Sequence, residues 1–78
     1  KRTGRDRFVR NVLIAIGNSG DATLAGEAER LLADASALVR GAAVWALARL
    51  DPARFAQLSD THRSGERDAE VLKEWIAA

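Results

Sequence analysis

The sequence predicts an all-α fold of about five helices, and three observations lead there. Apolar residues recur at three- and four-residue spacing in successive stretches, the period of an amphipathic helix. No stretch alternates apolar and polar residues long enough to form a strand. Segments of the same character return about thirty residues apart, so that Val9-Arg10 is matched by Val39-Arg40, and Asp21 by Asp51-Pro52. At 78 residues the chain suits one small domain, near the size at which a single core becomes marginal.

Residues 1–4 read as a basic arm. A first helix is expected over 5–17, where Phe8, Val9, Val12, Leu13 and Ile16 make an apolar stripe. Ile14 and Ala15 widen that stripe, which predicts burial on more than one side. Gly17-Asn18-Ser19-Gly20 stops it with residues that tolerate turn conformations. A helix pair follows over 21–50. Asp21 caps its first member, whose inner face carries Leu24, Ala28, Leu31 and Leu32. Asp34-Ala35-Ser36 forms the turn, with Ser36 as the next N-cap. The helix from about Ala37 to Leu50 has little polar surface beyond Arg40 and Arg49, so it belongs in the middle of a stack. Asp51 and Pro52 then open a last, degenerate pair over 52–77, with Pro52 at the first helical position, where its missing N–H is harmless. Ser59 to Glu66 read as a polar loop, and the final helix as about Glu66 to Ile76.

Composition narrows the chemistry. With no Cys there is no disulfide, thiolate metal site, iron–sulfur ligand or cysteine nucleophile, and one histidine, His62, cannot build a His-rich zinc site. No metal site and no catalytic constellation is therefore expected in this chain, and an independent enzyme is disfavoured. No apolar run is long enough to cross a bilayer and no signal-peptide pattern is present, so a cytoplasmic, monomeric domain with no membrane partner is expected. The chain begins at Lys1 without an initiator Met, as expected of a piece of a larger protein.

Twelve Lys and Arg against eleven Asp and Glu leave a net charge of +1, which selects no partner. The distribution does. Lys1, Arg2, Arg5, Arg7 and Arg10 face only Asp6 in the first ten residues, a local balance of +4, and the remainder sums to −3. Such a basic end suits a phosphate-bearing partner, although a solvated tail has the same composition. Arg5, Arg7, Arg10, Asn11 and Arg40 are the candidate nucleic-acid contacts. Arg10 and Arg40 have a second reading as clamps between helices, and Asn11, a poor helix former, faces either a neighbouring backbone or the partner. Trp45 is read as core, with stacking on a base as the lesser role. Trp75 is either packing or interface, and His62 a solvated loop residue.

Residues 21–50 resemble a HEAT-like repeat: an Asp in the turn, here Asp34, followed six residues later by the Arg of a Val-Arg pair, here Arg40. Asp34 is placed to accept hydrogen bonds from Arg40 or from turn amides and so hold the corner between the helices. The first helix looks like the second half of a preceding repeat, and a missing upstream helix would leave its Phe8–Ile16 face uncovered.

Two strings carry a closer resemblance. Arg10-Asn11-Val12-Leu13-Ile14-Ala15-Ile16-Gly17-Asn18-Ser19-Gly20-Asp21 and Leu38-Val39-Arg40-Gly41-Ala42-Ala43-Val44-Trp45-Ala46-Leu47 resemble the C-terminal helical-repeat region of bacterial epoxyqueuosine reductase. Together they cover about a third of the chain. The resemblance implies a parent enzyme that modifies tRNA in queuosine biosynthesis with cobalamin and two 4Fe–4S clusters. It implies that this chain, which lacks the cluster cysteines, is a non-catalytic module without cofactors of its own. Its implied partners are tRNA and the parent's catalytic domain. The alternative is a generic HEAT-like scaffold that docks another protein. The two readings separate on geometry: arginines converging on one ridge favour nucleic acid, whereas scattered arginines beside an open apolar groove favour a protein.

Overall fold

Helix α1 (Arg2–Asn18) opens the computed structural model, which describes residues 2–77 and the side chains of 4–77. The helix starts inside the stretch read as an arm, so Arg2, Thr3 and Gly4 are helical. Lys1 and the side chain of Arg2, both counted in that arm, lie outside the described residues. The stop after α1 is made by Ser19 and Gly20. Ser19 Oγ donates to the Ile16 carbonyl at 2.6 Å and accepts from the Asp21 N–H at 3.1 Å. Gly20 takes the left-handed conformation, φ +71°.

The next element is less regular than its apolar period suggests: a 3-10 turn (Ala22–Leu24), a short helix α2 (Ala25–Arg30) and a second 3-10 turn (Leu31–Ala33). Asp21 caps it as expected, accepting from the Thr23 N–H at 3.0 Å and the Thr23 hydroxyl at 2.6 Å. After the Asp34 turn, Ser36 caps helix α3 (Ala37–Leu50) by accepting from the Val39 N–H. Asp51 caps helix α4 (Pro52–Gly65), accepting from the Arg54 N–H at 3.0 Å.

The polar stretch after Leu58 is helical rather than a loop. α4 continues to Gly65, with Ser64 Oγ bonded back to the Asp60 carbonyl at 2.7 Å. The physical reason is tertiary: the half-buried His62 ring stacks on Trp75 at 5.2 Å, which holds the last turns of α4 against the helix that follows. That helix, α5 (Ala69–Ala77), starts later than the sequence suggested. Glu66 is extended, and Asp68 Oδ1 accepts from the Glu70 and Val71 N–H groups as the N-terminal cap.

Helix α3 packs against α1 and α5 and also against α2 and α4, the central place expected for it. The 34 × 29 × 18 Å envelope is about two helix diameters thick. Leu13, Val39, Val44, Leu47 and Val71 are fully buried around α3, and Trp75 is 3% exposed with Phe55 stacked on it at 5.1 Å. α1 is buried on one side only, contrary to the reading of its widened stripe. Phe8 is 69% exposed, Val12 39% and Ile14 40%, because α3 is the chief helix against it. Among the described residues, no helix is long and apolar enough to cross a membrane.

Candidate nucleic-acid interface

The candidate contacts divide between the outer face of α1 and the corner before α3. At the corner, Arg5 reaches from α1 to the turn. Its Nη1 and Nη2 donate to Asp34 Oδ2 and Oδ1 at 3.0 and 2.7 Å, and Nη1 also to Asp6 Oδ1 at 3.0 Å. These bonds raise the Arg5 pKa further, Asp34 contributing most and Asp6 next. Asp34 Oδ2 accepts from the Ser36 N–H as well, at 2.9 Å, so one carboxylate ties the turn to α1.

Arg40 is a second clamp, with different partners from those its spacing suggested. Nη1 donates to the main-chain carbonyls of Asp34 and Ala35 at 2.9 and 3.0 Å, not to the Asp34 carboxylate. Nε and Nη2 make a bidentate pair with Glu66 at 3.1 and 3.0 Å. Burial of Glu66 favours its neutral form, but the Arg40 bonds and the N–H groups of Asp68 and Arg67 outweigh it and hold the carboxyl below its ordinary value. Arg40 is raised in turn, chiefly by Glu66. A third bidentate pair, Arg54 to Glu29 at 2.9 and 2.8 Å, joins α4 to α2.

Arg7 and Asn11 stand one helical turn apart on the exposed face of α1. Arg10 is half-buried beside them. Its Nη2 donates to Asn11 Oδ1 at 3.2 Å, while its buried Nε–H has no acceptor among the described residues.

Trp45 is half-buried and packs against the core. Arg49 lies over its ring at 5.1 Å and donates from Nε to the Gly17 carbonyl at 3.1 Å, satisfying one of the open carbonyls at the end of α1. Gly17 is needed for this contact: a Cβ there would lie 2.4 Å from Trp45 Cζ3. Sequence reasoning treated Gly17 as a helix stop and Arg49 as surface, and missed the contact between them and the role of Glu66. The only available signal was Trp45 spaced four residues before Arg49, which puts both on one side of α3.

Arg5 and Arg40 meet at the Asp34 corner. Arg5 and Arg40 are bound to carboxylates and Arg49 to Trp45 and Gly17. An open valley runs along α3 between α1 and α5, with Arg10, Leu38, Trp45 and Glu74 among its lining residues. Among the described residues no group of three or more His, Cys, Asp or Glu is arranged to hold a metal ion.

No family model matches the chain, and no solved structure matches it. An epoxyqueuosine reductase from Alicycliphilus denitrificans is 47% identical over 57 residues, 63% of this chain. The match spans 16% of that relative's length. It supports a relation between this all-helical chain and epoxyqueuosine reductase.

Proposed function

We propose that this chain is a non-catalytic, C-terminal, HEAT-like module of an epoxyqueuosine-reductase-like enzyme of queuosine biosynthesis, and that it helps position tRNA. The observation that carries the reading is the 47% identity to an epoxyqueuosine reductase. In this reading the cobalamin, the iron–sulfur clusters and the reduction belong to another part of the parent protein, in the cytoplasm, and the parent's catalytic domain is the second partner. The outer face of α1 meets the RNA backbone: Arg7 and Asn11 touch phosphate, and Arg10 reaches it from the edge of the helix. Arg5 and Arg40 serve mainly as clamps that hold α1 and α4 to the corner of α3. Contacts of this kind fix the orientation of a substrate without reading its sequence.

Binding of a tRNA with a queuosine-type anticodon, followed by fluorescence anisotropy over a range of salt, tests the proposal. Two or three phosphate contacts give a log–log salt slope of about −2 to −3, and Arg7→Glu reduces its magnitude by about 1 or more. No binding at low salt would overturn the proposal. The alternative, a protein-docking scaffold, is favoured by one observation: Arg5 and Arg40 are engaged by carboxylates while the valley along α3 stands open.

A further inference from the structure

The valley between α1 and α5 has a volume of about 410 Å³ and a floor formed by α3. Three properties of its surface specify an occupant. The floor is apolar: Leu38 is 44% exposed there, Ala42 and Trp45 continue it, and Ile14 of α1, 40% exposed, rises beside it. The two walls carry opposite charges, Arg10 on α1 against Glu70 and Glu74 on α5. Finally, Gly41 has no side chain to fill the middle, and a Cβ there would only touch Val71 and Glu74 at 3.9 Å.

Helices α1 and α5 both pack on α3 and form the two walls of the valley, with the exposed side of α3 between them. From Leu38 to Trp45 the floor is about 10 Å long, two turns of an α-helix. Nucleic acid fits poorly. Its phosphates would approach Glu70 and Glu74, and the Arg49 guanidinium already lies over the Trp45 ring that a base would use.

We infer that the valley binds an amphipathic helix of a protein partner. The partner's apolar stripe lies on Leu38, Ala42 and Trp45, an acidic side chain meets Arg10, and a basic side chain meets Glu74. The acidic side chain pairs with the Arg10 guanidinium where it lines the valley. The opposed walls also fix which way round the helix lies, because rotating it end for end sets like charges against each other. The valley shares Arg10 with the proposed tRNA face of α1, whose other contacts, Arg7 and Asn11, stand outside the valley.

The test uses a display library of helical peptides of about 14 residues, some 21 Å of helix, with a fixed Leu stripe at i, i+3, i+4, i+7 and randomised flanks. The 78-residue chain is expected to enrich acidic residues on one flank and basic residues on the other. Arg10→Glu should switch the first flank to basic, and Glu70→Lys combined with Glu74→Lys should switch the second to acidic. Gly41→Leu, whose first carbon makes only ordinary contacts, fills the valley and should weaken the selected peptides about tenfold or more. Circular dichroism confirms that each variant is folded. Flanks without charge preference, charge preferences unmoved by the swaps, or undiminished binding to a folded Gly41→Leu variant would each overturn the inference. So would a single-stranded RNA oligonucleotide that still displaces the peptides from the Arg7→Glu variant, whose outer α1 face is weakened for RNA.

Discussion

Replacing Gly17 by Ala tests the seam between α1 and α3. On helix propensity alone the change is favourable, by at most about 1 kcal/mol and less in a last turn. Packing opposes it, since the new methyl carbon would stand 2.4 Å from Trp45 Cζ3 and 3.0 Å from Cε3. These are ring atoms, so relief requires the whole indole to swing. The ring also lies under the Arg49 guanidinium, which is itself tied to the Gly17 carbonyl. Overpacking of this kind costs about 1–3 kcal/mol, and losing the guanidinium over the ring costs about 0.5–1 more. The net expectation is a loss of about 1–2 kcal/mol, a fall in Tm of about 5–15 °C for a domain of this size. Thermal circular dichroism measures it. The background of Trp45→Leu sharpens the test, because without the indole the same Gly17→Ala change should become neutral or stabilising. A Gly17→Ala protein as stable as the parent, or the same destabilisation in both backgrounds, would refute the reasoning.

Three further perturbations follow from the contacts. The lowered folded-state pKa of Glu66 means that its ion pair contributes fully above the ordinary carboxylate range and is lost as pH falls through the lowered value. Urea titrations should therefore show stability falling on acidification from about pH 5, and Glu66→Gln, costing about 1–2 kcal/mol at neutral pH, should flatten that fall. Trp75→Ala removes a ring that is 3% exposed and stacked on Phe55 and His62. The expected cost is about 3–5 kcal/mol, a large part of the roughly 4–12 kcal/mol available to a chain of this length, and a denaturant midpoint unchanged by it would contradict the placement of α5. Arg5→Ala releases the Asp34 turn from α1, so the amides of the first turns of α3 should exchange with solvent faster. Unchanged exchange there would mean that the corner does not depend on this pair.

What could be read from the sequence is what neighbouring residues decide among themselves. Asp21, Ser36 and Asp51 cap the N–H groups two or three positions ahead, and each was legible as a start signal. α4 past Leu58 was not legible, because Asp60, Thr61 and Ser64 suit a helix or a loop, and the deciding contact is His62 on Trp75 in another helix. The clamps show the same limit. Asp34 was recognised as an acceptor, but a six-residue interval brings Arg40 to its carbonyl. Its carboxylate takes the expected turn amide, from Ser36, and goes also to Arg5, 29 residues away. Glu66, 26 residues from Arg40, carries no local mark of its role. Gly17 looked like punctuation because a close approach to Trp45 involves no motif, only the distance between two helices.

A residue-resolved titration tests the central claim most directly: amide chemical shifts of this chain with a queuosine-type tRNA at two salt concentrations. A tRNA-positioning module predicts salt-sensitive shifts centred on Arg7, Arg10 and Asn11, with the Leu38–Trp45 valley little changed. An absence of shifts at low salt, or shifts confined to the valley and insensitive to salt, would contradict it.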